Sequence, residues 1–235
     1  MRNWPGPVFR NICTRLPSYV SLETSYHRYR AKEMATMPKA RALSLLALLP
    51  LLAVASPSWS GPSLTTLAEW ATNPPVDASD FAREVNAQRL RLLQHEPSNA
   101  DLEAIPKLVS AFALADPAIQ DDVLVLFTHL VQHSGKHRSA ILQVAKAALS
   151  SPAVPVRKQA LEVFRQSNDP AFIQVSIAML EDPSWDVRYQ ALYSIAPFAE
   201  AGGHPKVFDA ISVLADDDNE RIRVIARSLM RFSPE

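Results

Sequence analysis

Two histidines and one carboxylate stand at helical spacing in the segment 122–133, DVLVLFTHLVQH. His129 and His133 are four residues apart and Asp122 precedes His129 by seven, so a continuous helix would place all three on one stripe. Imidazole nitrogens and carboxylate oxygens are ligands that Zn²⁺ and similar ions take. Two interpretations follow. Asp122, His129 and His133 form a metal site, or they are three ordinary polar residues on the solvent-exposed face of a helix.

Other catalytic motifs are absent from the sequence. The glycines are too few and too scattered for a phosphate-binding loop, a dinucleotide-binding fingerprint or a nucleophile elbow. They are Gly6, Gly61, Gly135, Gly202 and Gly203. The single cysteine, Cys13, lies in the N-terminal quarter, and His95-Glu96 is the only His-Glu pair. We therefore expect a protein that is not an enzyme and that needs no cofactor.

A short sequence pattern occurs three times in the C-terminal half. A polar or Pro-containing turn leads into an aliphatic residue and an arginine, and a small residue follows three positions after the arginine. The arginine pairs are Val156-Arg157, Val187-Arg188 and Ile222-Arg223, and the small residues are Ala160, Ala191 and Ala226. Such a period predicts stacked units, each too small to bury its own apolar face.

Helical periodicity dominates the chain from residue 79 onwards, and alternation typical of strands is scarce. Asp116-Pro117 and Asp182-Pro183 are typical of helix starts, and Gly135 of a helix end. Pairing the helices in order predicts four units near 79–115, 116–150, 151–182 and 183–216, closed by a half-unit at 217–232. Before them, 61–78 is expected to be a linker or an N-terminal arm, with a possible short helix at 64–71.

The residues 182–192 read Asp-Pro-x-x-x-Val-Arg-x-x-Ala-Leu, a pattern that resembles HEAT repeats, especially the short repeats of phycobilisome lyases. The resemblance implies an all-α fold over 79–232, a right-handed α-solenoid of stacked antiparallel helix pairs. It also implies that the repeated arginines pair with an acid or a carbonyl of a neighbouring unit. On this chain the ladder would consist of Arg157, Asp182, Arg188 and Arg223.

A solenoid presents a curved surface, which we expect the second helix of each pair to line. Tyr side chains are enriched at binding hot spots, and two of them stand one helical turn apart. The candidate contact residues are Gln143, Lys146, Gln174, Tyr189, Tyr193, Lys206 and Asp209. We therefore expect an interaction or scaffolding module that binds an unidentified protein or peptide. A metal-dependent function is the alternative.

The N-terminal quarter differs from the rest of the chain. Lys39 and Arg41 precede the apolar run 42–55, ALSLLALLPLLAVA, which ends in an A-x-A site. This pattern predicts a signal peptide at 37–60, cleaved after Ala55 or Ser60, and a periplasmic or secreted protein. The residues 1–36 are then expected to be an upstream extension that is not native, or a leader. Their arginine-rich composition leaves import into an organelle as the alternative.

The charge of the remaining chain bears on its partners. Beyond Ala55 it carries 16 basic and 22 acidic residues. Nucleic-acid binding depends on Lys and Arg contacts to phosphates, so we expect no nucleic-acid partner. The apolar run is shorter than the ~20 residues that span a bilayer, and Pro50 interrupts it. We expect no stable membrane insertion after cleavage.

Overall fold

A computed structural model describes residues 61–73, 78–200 and 205–233. Throughout these ranges the chain forms helices, because apolar residues recur at three- and four-residue spacing between Ser, Asp and Pro residues that bound them. The helices are α1 (Leu64–Thr72), α2 (Ala78–Gln94), α3 (Asn99–Glu103), α4 (Ile105–Phe112), α5 (Pro117–Leu130), α6 (Arg138–Ala148), α7 (Val154–Ser167), α8 (Ala171–Met179), α9 (Trp185–Glu200), α10 (Pro205–Val213) and α11 (Glu220–Leu229). Short 3-10 turns stand at Gly135–His137, Leu214–Asp216 and Met230–Phe232. No strand occurs in these ranges, which confirms the all-α class. The expected signal peptide at 37–60 and the upstream residues 1–36 lie outside the described residues.

The helices stack in two layers. The ladder layer contains α2, α5, α7, α9 and α11, in which each helix packs on the next. In the facing layer, α1 packs on α4, α4 on α6, and α8 on α10. Helices of the two layers also pack on each other, so every pair buries apolar faces against its neighbours. This arrangement confirms an α-solenoid.

Helix α1 shifts the pairing by one helix from the expected units. Leu64, Leu67, Ala68 and Ala71 recur at helical spacing and are all buried, and Ser63 caps the helix by accepting the Thr66 N–H at 3.1 Å. The helix packs on α4 and on α2. Four residues of a stretch expected as linker or arm therefore lie in the core. Because α1 is the first partner, the pairs run α1 with α2, α4 with α5, α6 with α7, α8 with α9 and α10 with α11.

Helices α3 and α4 are separated by a break just before Pro106. Helix α3 ends at Glu103, and α4 begins at Ile105 with the proline in its first turn, where the missing N–H has no intrahelical acceptor to lose. Ser98 and Asp101 form a reciprocal capping box at the start of α3. Arg91 of α2 donates to the Asp101 carboxylate at 2.7 Å, which joins this short helix to the ladder layer.

The repeated arginines form the contacts that cross from one pair to the next. Arg157 donates from Nε and Nη2 to the two carboxylate oxygens of Asp182 at 2.7 and 2.8 Å. Arg188 repeats this geometry with Asp217 at 2.7 and 3.0 Å. Both pairs are nearly buried, and an Arg fork on a carboxylate is geometrically demanding. These pairs set the register between successive units.

The arginine–carboxylate ladder does not continue upstream of Arg157. By burial, Ile119-Gln120 on α5 corresponds to Val156-Arg157 on α7, so glutamine stands at the arginine position. Its Nε2 donates to the Phe112 carbonyl at 3.2 Å instead of reaching a carboxylate. Ser151 stands at the corresponding acid position and accepts the Ala153 N–H at 3.2 Å.

The described helices include none long and apolar enough to cross a membrane.

Candidate functional site

A groove of about 410 Å³ runs across the outer faces of α2, α5 and α7 in the ladder layer. Its lining residues are Ala82, Val85, Asn86, Arg89, Asp122, Val125, Thr128, His129, Gln159, Glu162 and Gln166. On α7 the lining positions lie two, five and nine residues after the ladder arginine. On α5 three of the four lining positions lie two, five and nine residues after Gln120, and the fourth is Thr128. The repeat that aligns the ladder therefore also aligns the groove.

Hydrogen bonds hold the floor of the groove. Gln159 of α7 donates from Nε2 to the Thr128 hydroxyl of α5 at 2.8 Å, and that hydroxyl donates to the Leu124 carbonyl at 2.9 Å. Because the first bond joins two neighbouring helices, it restrains both side chains and the helix spacing. On the walls, Arg89 is held on Asn86 at 2.9 Å, and Glu162 accepts from Gln166 at 3.0 Å.

Two titratable groups of α5 line the groove, Asp122 and His129, and both are held towards their neutral forms. Burial raises the pKa of Asp122 to about 6, and the neighbouring carboxylates of Asp121 and Asp116 add to the effect. Burial also lowers the pKa of His129, with the nearby Arg89 acting in the same direction and Glu162 opposing it. Among the described residues, no hydrogen bond reaches the Asp122 carboxylate, so it is available to a ligand in the groove.

The structure does not bring Asp122, His129 and His133 together. Helix α5 ends at Leu130, and His133 lies in the following turn, where its N–H donates to the Leu130 carbonyl at 3.0 Å. The one-turn spacing of the two histidines therefore does not apply. Asp122 and His129 remain on one face, but seven residues separate their Cα atoms by about 10 Å along the axis. Within the described ranges, no three His, Cys, Asp or Glu side chains converge on a metal position.

His133 instead borders a second cavity of about 410 Å³ at the end of α5. It is lined by Asn99, Leu102, Glu103, His133, Ser134, Gly135, Lys136 and His137. Lys136 pairs with Glu103 at 3.2 Å across its mouth. The Nε2 atom of His137 is buried there and has no hydrogen-bond partner.

Five of the predicted contact residues lie on the layer opposite the groove. Gln143 and Lys146 are exposed on α6, Gln174 on α8, and Lys206 and Asp209 on α10. They were assigned to the second helix of each pair, and the pairing shifted when α1 became the first partner. The second helices are in fact α2, α5, α7, α9 and α11, the layer that carries the groove.

The two tyrosines lie on α9 of the ladder layer. Tyr189 is half-buried and packs against the core, whereas Tyr193 is exposed. Tyr193 stands five positions after Arg188, the place that Glu162 occupies after Arg157. The outward row of the groove thus continues onto α9. The positions two, five and nine after each arginine are the sequence signal that would have identified this row.

Comparisons with known proteins agree with this architecture. Residues 140–230 match the family model described as HEAT repeats. A designed armadillo repeat protein in complex with the peptide (KR)4 is 15% identical, with a TM-score of 0.43 over 73% of this chain and 91% of that chain. A computationally designed armadillo repeat protein for modular peptide recognition is 13% identical, with a TM-score of 0.39 over 73% and 92%.

An engineered protein is 16% identical, with a TM-score of 0.37 over 72% of this chain and 87% of that one. The search among curated proteins found no match. The family model covers the units that contain both rungs of the ladder. The matched segment, residues 140–230, is therefore similar to HEAT repeats.

Proposed function

We propose that this protein is a scaffold without catalytic activity that binds an extended segment of another protein in the groove of the ladder layer. The observation that carries the proposal is a groove built by three successive helices of the ladder layer, with polar side chains along it. Its lining includes Asp122, whose carboxylate has no hydrogen bond to any residue that the structure describes. The bond between Gln159 and Thr128 joins two of the three helices that form the groove and restrains their spacing. A preformed surface loses little entropy on binding.

The size of the groove suits a short extended peptide. Neighbouring helices lie about 8–10 Å apart, so three helices span about 20 Å. An extended chain covers this distance with about six residues. Tyr193 on α9 would lengthen the contact by one helix. Asn86, Gln159 and Gln166 present amide groups that can bond the peptide backbone.

A peptide selection tests the binding surface. Random twelve-residue peptides displayed on phage are selected on the full chain, and the Kd of the best sequence is measured by fluorescence anisotropy. Gln159→Ala and Tyr193→Ala should each raise the Kd by about tenfold if they are hot spots. Gln143→Ala and Gln174→Ala are matched controls on the facing layer, the surface expected from the sequence. A Kd that responds to the controls and not to the groove variants would move the site to that layer.

We also propose that the protein is exported, on the basis of the basic and apolar pattern at 37–60. Sequencing the N-terminus of the protein from its native cells tests this proposal. An N-terminus at Ser56 or Gly61, in the periplasm or medium, is the expected result. A mature protein inside an organelle would favour the import alternative, and an intact 37–60 segment would contradict both.

A further inference from the structure

The last of the three ladder arginines uses only part of its side chain. In all three, Nη1 donates to the carbonyls six and five residues earlier, which are Ser151 and Pro152 for Arg157. Asp182 and Pro183 accept from Arg188, and Asp217 and Asp218 accept from Arg223. For the first two arginines, Nε and Nη2 also bind the carboxylate of the next unit. The Nε and Nη2 edge of Arg223 meets no acceptor among the described residues.

This open edge is held in place. Arg223 Nη1 lies 2.6 Å from the Asp217 carbonyl and 3.0 Å from the Asp218 carbonyl, so the plane of the guanidinium is anchored to its own loop. The Asp217 carboxylate is already occupied by Arg188. A fork fixed on one side and open on the other is preorganised for a carboxylate, because little further entropy is lost when the ligand binds.

A second arginine stands on this face at a position where the earlier units have an apolar residue. The position four residues after the ladder arginine is Leu161 on α7 and Leu192 on α9, both fully buried. On α11 it is Arg227, whose side chain is 62% exposed, donates from Nε to the Ala215 carbonyl at 2.9 Å and pairs with exposed Asp216 at 3.3 Å. Residues four apart share one helix face. This face of α11 therefore presents Arg223 and Arg227 one turn apart, where a further unit of the same kind would need a leucine.

We propose that this face of α11 is a second docking surface, separate from the groove, for an acidic helix of a partner protein. One carboxylate of that helix would accept two bonds from the open edge of Arg223, as Asp182 and Asp217 do inside the fold. A second carboxylate one turn away would bind Arg227 in exchange for its exposed contact with Asp216. The exposed Val224 beside them offers apolar contact to the same helix.

The test uses the full chain and a fluorescein-labelled helical peptide with Glu at positions i, i+4 and i+8, compared with the same peptide carrying Gln. Anisotropy at 150 mM salt measures the Kd. The Glu peptide should bind at least tenfold more tightly than the Gln peptide, and Arg223→Gln should weaken it by about tenfold. Arg221→Gln is the matched control, since it removes the same charge from the same helix but from a different face.

Three results would overturn the proposal. The first is equal binding of the Glu and Gln peptides. The second is an equal loss of affinity in Arg221→Gln and Arg223→Gln, which would indicate unspecific charge attraction. The third is tighter binding to duplex DNA, or to vesicles of phosphatidylglycerol, with the same dependence on Arg223, because the ligand would then be a phosphate surface. Circular dichroism of each variant confirms that the helices remain folded.

Discussion

Breaking the rung between Arg157 and Asp182 should lower the free energy of unfolding more than any surface change. The two side chains are only 10% and 4% exposed. Arg157→Met leaves the Asp182 carboxylate nearly buried with one remaining donor, the Ser184 N–H at 2.8 Å, and it deprives the Ser151 and Pro152 carbonyls of their donor. Removing one partner of a buried pair costs about 3–5 kcal/mol, and we expect about 4 kcal/mol here.

The reverse change should cost less. Asp182→Asn keeps a polar group that can still accept from Ser184, and Arg157 keeps its two carbonyl acceptors, so about 2 kcal/mol is expected. The double variant Arg157→Met, Asp182→Leu removes both charges together. Its loss should be smaller than the sum of the losses of Arg157→Met and Asp182→Leu by about 1–3 kcal/mol.

Urea unfolding followed by circular dichroism at 222 nm measures these values. Lys136→Met is the control. Lys136 is 72% exposed and its partner Glu103 is 67% exposed, and such exposed ion pairs contribute at most about 1 kcal/mol. The reasoning is refuted if Arg157→Met costs no more than this control. Additive losses in the double-mutant cycle would show that the two side chains do not stabilise each other.

Three further changes test other features of the fold. The pKa of Asp122 is about 6 in the folded protein against an ordinary value of 3.8, so its contribution to stability should fall as pH rises from 3.8 to 6. Asp122→Asn should remove this contribution and stabilise the protein at pH 7 by about 1 kcal/mol, a value reduced for solvent screening of this half-exposed group. Thermal melting at several pH values measures the effect. Burial alone would raise the pKa of Asp217, but hydrogen bonds from Arg188 and the Asn219 N–H lower it, so the carboxylate stabilises the fold above pH 3.8 and this stabilisation is lost as pH falls below 3.8. The difference in unfolding free energy between wild type and Asp217→Asn should therefore shrink below pH 3.8, and a difference that stays constant would contradict the assignment. Asn168 ends α7 with φ of 55°, so Asn168→Ala should cost about 1 kcal/mol in urea unfolding, whereas Asn168→Gly should cost nothing.

Much of the architecture could be predicted from local pattern. Asp116-Pro117 and the spacing of apolar residues predicted helix starts and faces, because caps and periodicity depend on residues close in sequence. The repeated Val-Arg pairs predicted stacked units, and the described residues are an all-α solenoid. The position of Arg157 also marks the groove positions on α7, which follow it by two, five and nine residues.

The pairing of the helices was decided by the tertiary structure. Nothing local distinguishes a helix that packs before α2 from a short helix in a linker, and only the burial of Leu64 and Leu67 against α4 places α1 in the first pair. Because the pairing differs by one helix from the predicted one, the groove lies on the layer opposite Gln143 and Gln174. The separation of His133 from Asp122 and His129 was likewise not visible in the sequence, since helix α5 ends three residues before His133.

By itself, then, the sequence determined the helical class, the repeat period and the arginine positions, because each depends on neighbours within one or two turns. The tertiary structure alone decided which layer carries the groove, which carboxylate each arginine reaches, and that Arg223 keeps an open edge. Those features join residues about 25 to 30 positions apart, and their geometry exists only once successive helices have packed.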